Sequence, residues 1–450
     1  MTAIIEFAAA VLLSACGNAP QSALVWTDMP ELVIAAQLFN RTETRYVIDV
    51  EYHEHPALDL INAAKSRPFP SLVVARFLQD PIAMRTFSAI DDIFSRYYLD
   101  PNDIYPGLLA AGREGGQQRL IPLSFDPYLL VEKKSESANS GMSTIRLDEL
   151  AGYAAKVERD ARGALVSLGF SPWWDQGFVT SLLLAHGAAF SSNPGWKPGS
   201  VPKIEDIRAW PLRWDDPGLQ RGLDALMELS RSLPQQAELK AFDFSQGGQP
   251  GYQRVLAGSA RLWPMKASDF FKLPQLVRSQ LAYRYPTVNE HLVLSADSRF
   301  LGIPRNAPGR DAALFFARWL LSLEHQKQIW NLMQEQRLIS SHFGPFDGFG
   351  SLMQVNEALI PEFFPSYVQN RISAAVKSQG KYPAVPYPLP FFWEDFSRDC
   401  LESWIQDLPE FFVHSGTELK EEAAAKAMSA FKEGCAQYLG TMPDWMKASF

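Results

Sequence analysis

Short apolar runs alternate with helical patterns from residue 23 to residue 75, and only a few residues separate them. The runs are rich in β-branched and aromatic residues, which favours strands. The predicted strands are 23–26, 46–52 and 71–75, and the predicted helices are 30–40 and 57–66. An order of βαβαβ with short connections is typical of a mostly parallel sheet wrapped by helices. The pattern therefore predicts an α/β fold.

A second alternation of helices and strands follows an extended run at 119–131, which Pro122 and Pro127 interrupt. We expect this run to cross from one part of the fold to another. The later elements are predicted helices at 148–159, 179–186, 219–232 and 311–333, a strand at 260–263, an extended segment at 291–303, a proline-rich loop at 382–390 and a last helix capped by Thr417. Two βα series separated by a proline-marked crossing predict two α/β lobes.

Composition indicates a globular protein and argues against nucleic acid as a partner. The 450 residues are 47% hydrophobic and 20% charged, which is enough apolar material for a large core. Acidic residues outnumber basic ones by 50 to 42, and no run of lysine or arginine appears. A phosphate backbone would therefore meet repulsion. The 12 tryptophans either fill the core or offer flat platforms to ring-shaped ligands.

The N-terminus has the pattern of an export signal. Residues 7–15 are all small or apolar, which is half of the roughly 20 residues that a bilayer-spanning helix needs. The sequence LSAC at 13–16 resembles the bacterial lipoprotein signal box. We expect a signal peptide at 1–15, a lipidated Cys16 and a tether at 16–22, so that the protein is lipid-anchored in the cell envelope and faces the periplasm or the exterior. An ordinary N-terminal helix is the alternative.

The other cysteines and a histidine pair suggest no metal site. Cys400 and Cys435 either pair in a disulfide or remain two buried thiols, and their spacing leaves both possibilities open. His53 and His55 lie beside acidic residues, but such a pair without a second ligand cluster is more often solvent-facing than metal-binding. We expect neither a metal nor a cofactor.

Six short pieces of sequence occur along the chain in an order typical of one protein family. The pieces are LVWTD at 24–28, IPLSFD at 121–126, RLDEL at 146–150, GAAF at 187–190, GYQRVLAGSA at 251–260 before Trp263, and LGIP at 301–304 before the helix at 312–316. In this order the chain resembles the family 1 extracellular solute-binding proteins of ABC importers, which have a maltose-binding-like fold. The resemblance covers nearly the whole chain after the signal peptide.

The resemblance implies a two-lobed, periplasmic-binding-protein-like (type II) fold with a hinge and a central ligand cleft. The implied lobes are 23–125 plus 267–311 and 126–266 plus 312–450, with crossings at Phe125-Asp126 and near Lys266. The implied function is that of a substrate-binding lipoprotein, which captures a carbohydrate or related solute for import through ABC permease subunits. The family expectation is a monomer without catalytic activity.

Four tryptophans are the candidates for stacking on a sugar ring. Trp26 ends the first strand, which faces the cleft in the family, and Trp263 lies where the family often supplies an aromatic wall. Trp173 and Trp174 are adjacent in an apparent loop, so we expect at least one of them in the cleft. Core packing is the alternative for Trp26, and packing between the domains is the alternative for Trp263.

Four charged residues are the candidates for hydrogen bonds to a ligand. Asp28 could accept bonds from ligand hydroxyls, although its position before Glu31 favours helix capping. Asp175 follows the two adjacent tryptophans. Asp126 and Lys266 lie near the implied crossings, and simple surface exposure is the alternative for both.

Two other functional classes share these features. A carbohydrate-active enzyme would need two carboxylates across a bond, for which Asp28, Asp126 and Asp175 could be nominated, but no motif supports the choice. A sensory or interaction lipoprotein would keep the fold without delivering its ligand to a transporter. Turnover of the ligand would indicate the enzyme, and neighbouring genes for multi-span membrane proteins would indicate the importer.

Overall fold

Helices and strands alternate along the chain in a computed structural model that describes residues 20–63, 68–94, 99–137, 143–195, 209–338, 341–372, 385–412 and 420–440. The strands are β1 (Gln21–Thr27), β2 (Tyr46–Tyr52), β3 (Leu72–Arg76), β4 (Arg113–Glu114), β5 (Gln117–Gln118), β6 (Leu120–Phe125), β7 (Tyr128–Lys133), β8 (Thr144–Arg146), β9 (Val157–Arg159), β10 (Leu165–Leu168), β11 (Phe190–Ser192), β12 (Leu212–Trp214), β13 (Trp263–Lys266), β14 (Leu281–Val288), β15 (His291–Leu292), β16 (Arg299–Gly302) and β17 (Phe349–Gly350).

The α-helices include short single turns as well as amphipathic helices of three turns or more. They are α1 (Leu32–Thr42), α2 (Pro56–Asn62), α3 (Pro81–Met84), α4 (Pro106–Ala111), α5 (Lys134–Ser137), α6 (Leu147–Ala154), α7 (Gln176–Ala185), α8 (Asp216–Ser230), α9 (Gln236–Ser245), α10 (Gly251–Ala257), α11 (Ala267–Lys272), α12 (Gln275–Arg278), α13 (Arg310–Leu320), α14 (Leu323–Glu335), α15 (Ile360–Phe363), α16 (Trp393–Phe396), α17 (Glu402–Phe412) and α18 (Lys420–Gly440). Among these helices, none combines the length and the apolar composition needed to cross a bilayer.

The first sheet has the strand order β17-β6-β16-β3-β1-β2. β1 pairs in parallel with both β2 and β3, as the βαβαβ pattern predicts. β16 joins antiparallel to β3 and β6, and β17 joins antiparallel to β6. The sheet is therefore mixed rather than mostly parallel, because half of its strands come from later passes of the chain. α1 packs on β2, and α13 packs on β1.

The second sheet has the order β13-β7-β14-β15, with β8 beside β14. β7 lies antiparallel to both β13 and β14. The chain enters this sheet directly from the first, because β6 ends at Phe125 and β7 begins at Tyr128. It returns between Leu292 and Arg299, where Leu294 forms a bridge with Pro127. The two crossings thus lie side by side.

The return crossing lies later in the chain than expected. The predicted return of the chain near Lys266 is wrong. The predicted first lobe included residues 267–311, but β14 and β15 within that range belong to the second sheet, because β14 pairs with β7 and with β15. Conversely, α13 and α14 belong with the first sheet, since they pack on β1 and α1. The sequence pattern did not predict β14, because Arg284 and Pro286 are unusual residues for a buried strand. Arg284 is buried in the structure because its guanidinium pairs with Glu132 at 3.1 Å.

Several predicted helices end earlier than expected. The helix predicted at 311–333 is broken into α13 and α14, and the one predicted at 148–159 ends at Ala154 before a short strand.

The C-terminal helices α17 and α18 pack on α7 and α8, so they extend the second lobe. Cys400 and Cys435 meet there as buried, unbonded thiols with their sulfurs 3.8 Å apart. Thr417 and Cys16 lie outside the described residues.

The core lies on both faces of the sheets. Val25 and Val74 belong to one apolar cluster, whereas Val73 and Ala75, which alternate with them, belong to the other. The same alternation continues in β7, where Leu129 and Leu130 face opposite clusters. Each apolar cluster therefore runs from one sheet to the next, which ties the two lobes together beneath the crossings.

Gly302 provides a test of this packing. A Cβ atom there would lie 2.6 Å from Leu120 Cδ2 and 2.6 Å from Phe87 Cδ1. We expect Gly302→Ala to lower the free energy of unfolding by about 1–3 kcal/mol in urea titrations, because buried side chains must move. Gly152→Ala is the matched control, since nothing lies within 4 Å of its Cβ and alanine favours helix α6 by up to about 1 kcal/mol. Equal stability of wild type and Gly302→Ala would contradict the packing described.

Candidate functional site

A cavity of about 270 Å³ lies between the two lobes, beside the crossings. The end of β3, the start of β7, helix α7, the end of β13, the return crossing and the C-terminal helices all contribute to its wall. The lining residues are Arg76, Phe77, Tyr128, Gly177, Thr180, Ser181, Lys266, Ser295, Ala296, Asp297, Trp393, Glu394, Ser397 and Glu402. Ligands of open α/β sheets bind at such a position, outside the carboxyl ends of strands.

Arg76 is the centre of the charged wall. Its Nε lies 2.9 Å from Asp28 Oδ2, and its Nη1 lies 2.5 Å from Glu394 Oε1 and 3.4 Å from Asp297 Oδ1. Burial by itself would lower the pKa of Arg76, but the three carboxylates raise it above its usual value. Because Glu394 belongs to the C-terminal helices, the Arg76–Glu394 pair joins the two lobes across the cavity.

Lys266 and Asp297 form the second ion pair of this wall, with Nζ 2.6 Å from Oδ2. Ser295 Oγ also donates to Asp297 Oδ2, at 3.3 Å. Burial would raise the pKa of Asp297, but Lys266 and Arg76 hold it well below its usual range. For Lys266 the signs are reversed: burial by itself would lower its pKa, but the neighbouring Asp297 carboxylate raises the pKa above its usual value. Both groups are therefore charged at neutral pH.

A helix N-terminus and aromatic rings also contribute to the wall of the cavity. Asp175 Oδ1 caps α7 by accepting from the Phe178 backbone N–H at 2.7 Å, and it also accepts from the Tyr128 hydroxyl at 3.0 Å. Burial raises the pKa of Asp175, against these two hydrogen bonds. Trp393 and Phe77 add apolar surface. Phe77 has φ of 60°, and a bulky residue held in the left-handed region is the kind of strain that clusters at binding sites.

Three of the four predicted charged residues act behind the cavity wall rather than on it, and only Lys266 lines the cavity. The prediction that Asp28 caps the first helix is wrong, because α1 has Glu31 at its N-cap position without a side-chain cap bond, and Asp28 accepts from Arg76. Asp126 is buried, and its oxygens accept from Ser268 N and Oγ at 2.9 and 2.6 Å. Asp175 holds Tyr128, which lines the cavity.

The four predicted tryptophans lie outside the cavity lining. Trp26 is 5% exposed, and its Nε1 donates to Glu51 Oε2 at 3.1 Å. The centroids of the Trp26 and His53 rings are 4.1 Å apart. Trp174 and Trp263 stack on each other, with their ring centroids 4.6 Å apart and an interplanar angle of 10°. Each indole thus occupies the position at which a sugar ring was expected. Their apolar faces therefore cover one another.

Trp173 packs against Phe412, with ring centroids 6.0 Å apart. Its Nε1 is buried without a hydrogen-bond partner among the described residues. The tryptophan that lines the cavity is Trp393, which is only 3% exposed and packs on Phe190 and Phe396.

Sequence reasoning missed Arg76, Asp297, Trp393 and Glu394. Arg76 carried a usable signal, because it directly follows the predicted strand 71–75 and the carboxyl ends of parallel strands form ligand sites. The other three gave none, since Asp297 lies in a crossing placed elsewhere and residues 393–394 follow a stretch without a clear pattern.

A larger cavity of about 700 Å³ lies within the second lobe, beside α6, α8 and the turn after β14. His186 lines it, and its Nε2 is buried without a hydrogen-bond partner in the described residues. Burial lowers the pKa of His186. All residues that line this larger cavity belong to the second lobe, so we regard the interlobe cavity as the candidate functional site.

Within the described ranges, no group of three or more histidine, cysteine, aspartate or glutamate side chains is placed to hold a metal ion.

Asp126 gives the site a testable pH dependence. Burial raises its pKa from 3.8 to about 7, so the folded state binds this proton more tightly than the unfolded state. The stability that this group contributes is present at low pH and is lost as pH rises from about 4 to about 7. We expect Asp126→Asn to gain stability relative to wild type by up to about 4 kcal/mol between pH 4 and pH 8, measured by urea denaturation. A difference between the two proteins that is constant across this range would contradict the assignment.

Comparisons with known proteins bear on the fold. No family model matches the chain, and no curated protein matches it. Solved structures do match over most of its length. The sugar-binding protein MalE from Xanthomonas citri has a TM-score of 0.59 and 12% identity, covering 94% of this chain and 100% of that one. A family 1 extracellular solute-binding protein from Alicyclobacillus acidocaldarius has a TM-score of 0.57 and 12% identity, covering 93% and 100%.

The cyclic α-maltosyl-1,6-maltose binding protein from Arthrobacter globiformis has a TM-score of 0.54 and 13% identity, covering 93% of this chain and 100% of that one. Identities this low establish a shared fold. The comparisons confirm the architecture that the resemblance implies: the chain has the two-lobed α/β fold of the periplasmic solute-binding proteins.

Proposed function

We propose that the protein captures a carbohydrate or related solute in the interlobe cavity and delivers it to an ABC importer. The observation that carries the proposal is the cavity itself, whose wall is built from both lobes and from the return crossing. Several proteins that share the fold are named for the sugars that they bind. Closing two lobes about such a cavity is a recurrent way of enclosing a ligand.

The chemistry of the wall suits a sugar. A sugar ring has apolar C–H faces and a rim of hydroxyls, and aromatic rings accept the former. Trp393 and Phe77 provide the aromatic surface, and Arg76, Lys266 and Asp297 provide charged hydrogen-bonding groups. Hydrogen bonds that involve a charged partner are stronger than neutral ones. Thr180, Ser181 and Ser397 add hydroxyls.

The size of the cavity favours a small solute. Its volume of about 270 Å³ lies near the lower end of the range of about 300–1,000 Å³ that ligand pockets span. A solute of one or two sugar rings fits this size better than a long oligosaccharide. A binding protein must also release its ligand, so we expect an affinity near 1 μM, about −8 kcal/mol.

The cellular setting is part of the proposal. Delivery to an importer requires permease subunits in the membrane and a position in the cell envelope. Lipidation at Cys16 would supply the anchor, and the chain would act as a monomer. Lys266, together with Arg76, Asp297, Glu394 and Trp393, would contact the ligand. Asp28 would hold Arg76 in place, Asp126 would hold Ser268, and Asp175 would hold Tyr128.

A thermal-shift screen against monosaccharides and short oligosaccharides tests the binding function. A sugar at 100 times its dissociation constant should stabilise the protein by about 2.7 kcal/mol. Lys266→Gln should then weaken that sugar at least about tenfold in calorimetric titrations, because a charged donor is lost from the wall. Lys272→Gln is the matched control, since Lys272 pairs with Asp269 and Asp347 outside the cavity lining.

Three results would contradict the proposal. The first is that no sugar shifts the melting temperature. The second is equal weakening by Lys266→Gln and Lys272→Gln, which would place binding elsewhere. The third is consumption of the bound sugar on incubation, which would indicate an enzyme.

A further inference from the structure

The charges around the interlobe cavity do not balance. Arg76 and Lys266 are the cations of the lining, and Asp297, Glu394 and Glu402 are its carboxylates. Asp28 adds a further carboxylate directly behind Arg76, with a side chain that is only 5% exposed. The lining itself therefore holds one more carboxylate than cations, and Asp28 lies behind it.

Neighbouring arginines lie outside the lining, although the charge of Arg299 helps to lower the pKa of Asp297. Arg299 directs its Nη1 to the carbonyl oxygens of Phe346 and Asp347, each at 3.3 Å, and it does not line the cavity. Arg398 is paired with Asp395 and Asp399 on its own helical segment. Glu402 is thus the carboxylate of the lining that has no ion pair among the described residues.

Two acceptors in this region lack partners. Glu402, the first residue of α17, is half-buried and lines the cavity, and no hydrogen bond or ion pair of its side chain occurs among the described residues. Oδ1 of Asp28 is buried without a hydrogen-bond partner in the part of the chain that the structure describes. Glu394, by contrast, already lies against Arg76. Glu402 is therefore the carboxylate that is open to a ligand.

We infer that the solute carries a protonated amino group beside its hydroxyls, and that Glu402 receives that group. This inference rests on the proposed function, since it specifies the class of sugar that the cavity holds. A neutral sugar that excluded water would leave the Glu402 charge buried without compensation, which is costly. An acidic sugar would add repulsion, whereas an ammonium group would form a charge-assisted hydrogen bond.

The experiment compares sugars that differ only at C2. Glucosamine, galactosamine and mannosamine are each titrated calorimetrically against glucose, galactose and mannose, at pH 6 so that the amines are protonated. The corresponding disaccharides, with amino, N-acetylamino and hydroxyl groups at C2, extend the set. The tightest amino sugar should bind at least about tenfold more tightly than its neutral counterpart. N-acetylation, which removes the charge, should abolish that advantage.

Two variants locate the effect. Glu402→Gln keeps the shape of the side chain and should bring the amino-to-neutral affinity ratio close to one. Glu410→Gln is the matched control on the same helix, because Glu410 is exposed, pairs with Lys240 and does not line the cavity. It should leave the ratio unchanged. The melting temperature of each ligand-free variant establishes that it is folded.

The outcomes separate this inference from the proposed function. Neutral sugars that bind as tightly as amino sugars would overturn the inference and leave sugar capture standing. A preference for amino sugars that Glu402→Gln does not reduce would overturn the role of Glu402. Absence of binding by every sugar in the set would overturn both.

Discussion

One half-buried guanidinium organises the cleft. Arg76 ends a strand of the first sheet and contacts carboxylates from three distant points of the chain: Asp28 after β1, Asp297 in the return crossing and Glu394 in the C-terminal helices. Removing one partner from a buried ion pair typically costs about 3–5 kcal/mol, because the other charge is left uncompensated. Arg76 therefore fixes how the lobes, the crossing and the C-terminal helices meet.

The crossings bring the polar groups to one place. Pro127 and Leu294 form a bridge, so the outgoing and returning chains lie together, and Ser295, Ala296 and Asp297 follow directly into the cavity wall. Asp126 stabilises the outgoing crossing through Ser268. Charged groups are thus positioned by backbone that both lobes share, which suits the proposed closure of the lobes around a solute.

The sequence predicted the elements whose pattern is local. The parallel strands β1, β2 and β3 follow from their apolar runs. Lys266 was predicted from a crossing that the family resemblance implied near it, and it lines the cavity although the return crossing lies later in the chain. β14 was missed because Arg284 looks exposed in sequence and is buried only through its pairing with Glu132.

The candidate tryptophans show the same limit. An indole that stacks on a sugar and one that stacks on another indole have the same local sequence, and Trp174 and Trp263 stack on each other. Trp393 reaches the cavity only through the packing of the C-terminal helices on α7 and α8. Tertiary contacts of this kind leave no periodic signal along the chain. The most direct test of the account is a crystal structure with the tightest-binding sugar. The account predicts a sugar in the interlobe cavity, in contact with Lys266 and Trp393, and a sugar in the larger cavity beside His186 would contradict it.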